Sequence, residues 1–293
     1  MNILIAVDSN YIVPAKVMLK SLSIHLSEKL DIYLLYSSLR EKHIEDLSRF
    51  CMKECGAELH PMYVERKTFN EMPLTGWFSV EVYFRLIAPF ILPENIKRIL
   101  WIDADIIVKK NISDLYNTNL NNAAIGVVQD MGSRNLVSEC CERLQLKNDS
   151  VYFNSGIILF DLVAIREHWT RQQFVNQMNS IHSEKLIYPD QDMLNLIFEK
   201  NKLIMPDKWN YQIRSWSKIK TTEIEDAAII HFVGEIKPWN FEYGNKAGEI
   251  WWEYYSLCNW KNGYCLLKIK NLYMRYIGVR LKHLNDKMRN RIK

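Results

Sequence analysis

Residues 98–108, RILWIDADIIV, constrain the fold of this 293-residue chain more than any other stretch. The apolar half is long enough for one buried strand, and it ends in two aspartates, Asp103 and Asp105, separated by the small residue Ala104. A strand that is hydrophobic on both faces belongs at the centre of a sheet covered by helices. The C-terminal ends of such strands are where open α/β sheets collect ligands. Two carboxylates delivered there can hold a hard divalent cation, which in turn can hold a diphosphate, because Mg²⁺ and Mn²⁺ share oxygen ligands with substrate phosphates. The motif by itself is short. It recurs at Asp190-Gln191-Asp192, and a charged turn after a strand explains it equally well.

The surrounding pattern supplies a context. Strands at 2–7, 31–36 and 58–64 alternate with helices at 14–26 and 41–55, the first helix amphipathic with Val17, Leu19 and Leu22 among its apolar positions. This βαβαβ rhythm predicts an α/β fold with parallel pairing and right-handed crossovers. A helix at 80–91, stopped by Pro93, leads into the Arg98 strand. Further strands are expected at 123–128, ending near Asp130, at 151–160 and at 227–232, with helices at 162–178 and 192–200. Neither a Gly-x-Gly-x-x-Gly turn nor a Gly-x4-Gly-Lys-Ser/Thr loop occurs, so diphosphate charge would be met by a metal and side chains.

Composition closes off other classes. With 48% hydrophobic and 25% charged residues the chain is an ordinary packed globular protein and not a disordered one. Most of its 9 Trp and 15 Tyr are assigned to the core. The six cysteines, Cys51, Cys55, Cys140, Cys141, Cys258 and Cys265, show neither a Cys-x-x-Cys pair nor zinc spacing, which suits reduced thiols in the cytoplasm. The opening apolar run is cut by Asp8 and has no basic residue before it, unlike a secretory leader. No stretch reaches the roughly 18 to 20 apolar residues of a membrane span. The net charge of +4 conceals a polarity: residues 261–293 hold ten Lys and Arg against the single acid Asp286, so that segment carries +9 and the preceding residues −5.

Five more segments accompany the Asp-x-Asp: VDSNY (7–11), YFRL (83–86), YFNSGIILFDL (152–162), PDQDMLN (189–195) and HFVGEIKPW (231–239). Together and in this order they resemble the retaining glycosyltransferases of family 8, which include bacterial lipooligosaccharide α-galactosyltransferases, lipopolysaccharide glucosyltransferases and glycogenin. The likeness runs from about Asn2 to about Trp239. It implies a GT-A fold: a nucleotide-binding, Rossmann-like mixed sheet flanked by helices, here with a small C-terminal basic helical region. The corresponding division is a catalytic domain at 1–250 and a basic helical tail at 251–293.

The resemblance also assigns roles. Asp103, Asp105 and His231 become the Mn²⁺ ligands, with Mg²⁺ as the alternative ion and Ala104 lining the same nucleotide site. An imidazole beside two carboxylates is a mixed nitrogen and oxygen set that suits Mn²⁺, although a lone histidine at a strand end is more often structural. Gly234 and Lys237 would approach the diphosphate; a surface turn with a solvated lysine is the competing reading. Asp8 and Asn10 would meet uracil and ribose and Tyr11 would stack on the base, while Asn10 has helix capping open to it as well. Arg85, Asp130, Asn154, Asp190 and Gln191 would surround the donor hexose. For Arg85 a salt bridge, and for Asn154 and Gln191 satisfied buried amides, are the alternatives.

The implied chemistry is departure of UDP from the anomeric carbon of a UDP-hexose, with Mn²⁺ and Lys237 stabilising the leaving charge. Asp190 and the amide oxygen of Gln191 would face the oxocarbenium-like sugar. Front-face attack is preferred to a covalent intermediate, because an amide is a poor nucleophile, and Asp130 is the carboxylate to test against that preference. The expected function is transfer of a hexose, galactose ahead of glucose, to a lipid-linked or protein-linked saccharide of a surface glycan. Ile269, Leu272, Tyr273, Tyr276, Leu284 and Met288 recur at near-helical spacing among basic residues. Such a tail suits peripheral docking at the inner, anionic membrane face, or packing on the catalytic domain with a solvated basic face. Nucleic acid is not an expected partner, since the −5 body repels phosphate. Glycogenin-like self-glucosylation, a phosphatase of the haloacid dehalogenase type and a non-catalytic binding module are the rival functions.

Overall fold

Alternate residues of the central strands feed two different cores. In the computed structural model, which describes residues 1–69, 80–147, 149–181, 183–217 and 221–260, Ile3, Ile5, Leu100 and Ile102 face one hydrophobic cluster, while Leu4, Ile99 and Trp101 face another. This is the period of two that a doubly covered sheet requires. The basic tail at 261–293 lies outside the described residues.

The first half alternates as expected: β1 (Asn2–Ala6), α1 (Ile12–Ile24), β2 (Leu30–Tyr36), α2 (Glu41–Phe50) and β3 (Ala57–Tyr63). The helix expected at 41–55 ends early, because Cys51–Cys55 widens into a π turn that closes on Gly56 at φ 59. Val80–Tyr83 forms a 3-10 turn before α3 (Phe84–Ile91). β4 (Arg98–Ile102), β5 (Ile106–Val108), α4 (Ser113–Tyr116), β6 (Ile125–Gln129) and α5 (Arg134–Leu144) follow. Next come β7 (Phe153–Asp161), α6 (Leu162–His168), α7 (Arg171–Asn179), α8 (Pro189–Ile197), β8 (Lys202–Met205) and β9 (Tyr211–Ile213). The described chain closes with α9 (Thr221–Asp226), β10 (Ile229–Phe232) and α10 (Gly248–Leu257).

Seven strands form one sheet in the order β3-β2-β1-β4-β7-β6-β8, and β5-β10-β9 forms a second. Strands β1 to β4 pair in parallel, whereas β7 runs antiparallel to both β4 and β6, so the large sheet is mixed. Helices α1 and α2 cover one face. Helices α3, α6, α7 and α8 cover the other. A third apolar cluster joins α10 to β10 and α1 through Trp251, Tyr255, Phe232, Tyr243 and Val17. Among the described residues no helix is long and apolar enough to cross a membrane.

The single helix expected at 162–178 is two helices. Asp161 caps α6, accepting from the N–H groups of Val163 and Ala164, and Trp169 is extended. Thr170 and Gln173 then form a capping box that starts α7. The helix expected at 192–200 begins earlier, at Pro189, a residue suited to a first helical turn.

That shift gives the second Asp-x-Asp a structural partner set. Asp192, fully buried, pairs with both terminal nitrogens of Arg143 at 2.9 and 3.1 Å and accepts from Tyr152 Oη at 2.6 Å. It also accepts from the N–H groups of Ile187 and Tyr188. One turn on, Asn195 both donates to the carbonyl and accepts from the N–H of Phe153, clamping α8 to the start of β7. Removing one member of a buried ion pair strands the other. Asp192→Ala should therefore lower unfolding free energy by about 3–5 kcal/mol, read as a reduced midpoint in urea.

Candidate active site

The Asp-x-Asp marks the point where the chain leaves one sheet for the other. β4 ends at Ile102, the Asp103 N–H donates to the Gly156 carbonyl on β7 at 2.9 Å, and by Ile106 the chain has entered the small sheet as β5. There Ile106 pairs directly with His231 of β10, and the Phe232 N–H donates to the Asp105 carbonyl at 3.0 Å. Strand register alone thus brings His231 beside both aspartates. Their ligand atoms lie within 4.8 Å of one another. His231 Nε2 is 3.2 Å from Asp105 Oδ1 and 4.0 Å from Asp103 Oδ2.

These residues fit a divalent cation. Asp105 Oδ1 is buried and, apart from the His231 ring nitrogen 3.2 Å away, no hydrogen-bond partner meets it, an arrangement that costs free energy unless a positive group satisfies it. The opposite oxygen, Oδ2, is 2.5 Å from Lys237 Nζ, which also donates to the Phe232 carbonyl at 2.8 Å. Burial by itself would raise the Asp105 carboxyl, but the Lys237 ammonium and His231 outweigh it and hold the group well below the usual carboxylate range.

Arg85 ties this cluster to a second carboxylate. Its guanidinium is buried over the Trp101 ring, 4.3 Å from the ring centre, with one terminal nitrogen 3.0 Å from Asp103 Oδ1 and Nε 3.3 Å from Asp190 Oδ2. The other terminal nitrogen donates to the Ser155 carbonyl at 2.6 Å. Trp101 Nε1 donates to Asp103 Oδ1 at 2.7 Å, which leaves Oδ2 turned toward His231. Asp190 also accepts from Ser155 Oγ. Burial raises the Asp190 carboxyl and Arg85 only partly opposes it.

A cavity of about 370 Å³ opens over these groups. Asp8, Tyr11, Arg85, Asp103, Ala104, Asp105, Asp130, Asn154, Asp190, Gln191, His231, Gly234 and Lys237 all line it. Asn10 does not: it is exposed, and its backbone N–H donates to Asp8 Oδ1 at 2.8 Å. The turn into α1 is thus closed by Asp8, which also accepts from the Tyr11 N–H. Tyr11 packs edge-on against Trp239, and burial, reinforced by Asp105, Asp103 and Asp8, pushes its phenol up. Gly234 has φ 94 with open space where a Cβ would stand, so backbone conformation alone asks for glycine there.

The amides meet protein partners on both ends. Gln191 Oε1 accepts from Asn154 Nδ2 at 3.0 Å and from the Ser155 N–H at 3.1 Å, and Gln191 Nε2 donates to Asp130 Oδ2 at 3.1 Å. Both lone pairs of the Gln191 oxygen are therefore used within the protein. Asp130 Oδ1 accepts from the Gly132 N–H at 2.8 Å and lies 3.7 Å from Arg214. Sequence patterns did not single out Ser155, Arg214 or Tyr188, which also line the cavity, nor Asn210, which lies behind it. Their signal is only adjacency: Ser155 follows Asn154 in β7, and Tyr188 precedes the Pro189 that opens α8.

The fold and site define a GT-A glycosyltransferase, and comparison with known proteins says of which family. The family model described as glycosyl transferase family 8 matches residues 2–242, and the chain belongs to that family. Lipopolysaccharide 1,2-glucosyltransferase of Escherichia coli is 27% identical over 89% of this chain and 79% of its own length. General stress protein A of Bacillus subtilis is 25% identical over 89% and 94%. The solved structure of galactosyltransferase LgtC with donor and acceptor sugar analogues superposes with a TM-score of 0.75 at 20% identity, over 90% of this chain and 99% of that one. The family membership removes the haloacid dehalogenase reading.

Gly156 gives the site its sharpest steric test. A Cβ there would lie 2.2 Å from His231 Cε1 and 2.5 Å from Nδ1, so the ring would have to leave its place. If His231 is a ligand of a bound cation, Gly156→Ala will weaken Mn²⁺ binding by about 10–100-fold, as disturbed support of a metal ligand does, in a titration of free Mn²⁺ by electron paramagnetic resonance.

Proposed function

We propose that this protein transfers a hexose from UDP-hexose to a saccharide acceptor of a bacterial surface glycan with retention of configuration, using a divalent cation held by Asp103, Asp105 and His231. The observation that carries the reading is the convergence of these three residues, with one buried Asp105 oxygen facing only the His231 ring, in a cavity lined by the C-terminal ends of β1 and β4. Relatives are named both glucosyltransferase and galactosyltransferase, which supports UDP-glucose or UDP-galactose as the donor.

Bound there, Mn²⁺ or Mg²⁺ would supply Lewis-acid stabilisation of the diphosphate charge. Lys237 brings an ammonium to the same place, and Gly234 turns the preceding loop so that its backbone can approach the phosphates. Tyr11 and Asp8, past the end of β1, receive the uridine. Asp190, held by Arg85 and Ser155, lines the donor-sugar wall as the carboxylate that meets the developing positive charge. The Gln191 oxygen is taken by two protein donors, so Gln191 serves that wall by orientation, and its nitrogen engages Asp130. Asp130 is bonded on both oxygens, which favours front-face attack in which a leaving phosphate oxygen accepts the proton of the acceptor hydroxyl. The boundary expected at 250/251 falls inside α10, whose Trp251 and Tyr255 pack against β10 and α1, so we assign residues 1–260 to the catalytic unit and the basic segment 261–293 to docking at an anionic lipid surface close to a lipid-linked acceptor.

A screen of UDP-sugars with released UDP as the signal tests this reading. UDP-glucose or UDP-galactose should be hydrolysed only with Mn²⁺ or Mg²⁺, and Asp105→Asn should lower the rate by about 10²–10³-fold, the scale of losing one electrostatic stabiliser. Turnover in that variant equal to wild type would mean that the aspartates hold no ion. For the tail, sedimentation with phosphatidylglycerol vesicles should fall away as salt rises, and equal binding to neutral vesicles would remove that assignment.

A further inference from the structure

A row of buried side chains runs without a break from the cation cluster to the donor-sugar wall. His231 Nδ1 lies 3.0 Å from Asn210 Oδ1, Asn210 Nδ2 donates to Asn154 Oδ1 at 2.9 Å, and Asn154 Nδ2 donates to Gln191 Oε1 at 3.0 Å. The row ends where Gln191 Nε2 meets Asp130. Asn210 stands just before β9, is completely buried and lines no part of the cavity.

The direction of such a row is normally ambiguous, because an amide can exchange its oxygen and nitrogen by a half-turn. Here two backbone groups fix it. The Gly156 N–H donates to Asn154 Oδ1 at 3.0 Å and the Ser155 N–H donates to Gln191 Oε1 at 3.1 Å. A backbone N–H can only donate, so both of those side-chain atoms must be oxygens. Asn210 then has to present nitrogen to Asn154 and oxygen to His231. An oxygen acceptor at Nδ1 requires the neutral ring to carry its proton there, leaving the Nε2 lone pair facing Asp105 and Asp103. That is the tautomer a cation at the three ligands needs.

We infer that Asn210 is a positioning residue that sets the His231 tautomer for cation binding and, through its other end, holds the Asn154–Gln191 pair at the sugar wall. The inference rests on the proposed cation site. It makes the two ends separable by substitution. Asn210→Leu removes both contacts. Asn210→Asp keeps an acceptor for His231 but offers oxygen to the fixed Asn154 oxygen, which cannot turn to accommodate it.

Three readouts test this. Free-Mn²⁺ titration should show Asn210→Leu binding about 10–100-fold more weakly than wild type, with Asn210→Asp close to wild type. UDP release from UDP-hexose at saturating Mn²⁺ should fall by about 10–100-fold in kcat/KM for Asn210→Asp, the usual scale for a lost supporting contact. In the metal-free wild-type protein, at a pH where the ring is neutral, long-range ¹H–¹⁵N correlation should find the His231 proton on Nδ1, the signal being assigned by its loss in His231→Gln. Wild-type Mn²⁺ affinity in Asn210→Leu, wild-type kinetics in Asn210→Asp, or an Nε2 proton in wild type overturns the role of Asn210. Absence of Mn²⁺ binding by wild type sinks the cation site itself, and the tautomer still decides whether Asn210 governs the ring.

Discussion

The structure depends on one crossing of the chain. Between Ile102 and Ile106 the backbone leaves a seven-stranded sheet and enters a three-stranded one, and the three intervening residues are Asp103, Ala104 and Asp105. Both sides of the crossing are fixed by strand pairing, to β7 before it and to β10 after it. The aspartates are thereby held by ladder hydrogen bonds, and the histidine that joins them is placed by the same register. A site built on rigid strands in this way loses little order when a ligand arrives.

Around that crossing, main-chain atoms do as much as side chains. The Asn154-Ser155-Gly156 tripeptide gives one carbonyl to Arg85 and another to the Asp103 N–H, and gives two N–H groups to the amides of Gln191 and Asn154. Gly156 must lack a side chain because the His231 ring occupies the space where one would begin. The small sheet is sewn to the large one nearby: Gln212 on β9 donates to the Gln129 carbonyl and accepts from the Met131 N–H. Polar contacts of this kind stay buried because each finds its partner.

The fold was legible where the signal is local. Alternating apolar strands and amphipathic helices gave the parallel half, and the strand before Asp103 ended where its apolar run did. The break between α6 and α7 was also written in the chain, as Thr170 and Gln173 at capping-box spacing, but the continuous apolar pattern across it reads as one helix. Short strands such as β5, β8 and β9 carry too few residues to show a period. At the site, carboxylates and a histidine in recognisable segments were visible, and nearly all of them line one cavity. Asn210 was not, because an asparagine after Trp209 looks like any turn residue, and its importance exists only once the turn before β9 meets Asn154 of β7. Asp192 stands in the sequence only as a recurrence of a short motif, since nothing there says that Arg143 will meet it.

The shared guanidinium of Arg85 has a further consequence. One positive group divides its attraction between Asp103, in the proposed cation cluster, and Asp190, on the proposed sugar wall. If a cation takes up the charge of Asp103, Arg85 becomes more available to Asp190, and a ligand that draws on Asp190 returns it to Asp103. On the proposed reading the two halves of the cavity would compete for one guanidinium, and such linkage is reciprocal: whatever factor a cation costs a ligand at Asp190, that ligand costs the cation. A donor molecule spanning both halves would then meet groups that share one positive charge, so recognition of its two ends could not be tuned independently.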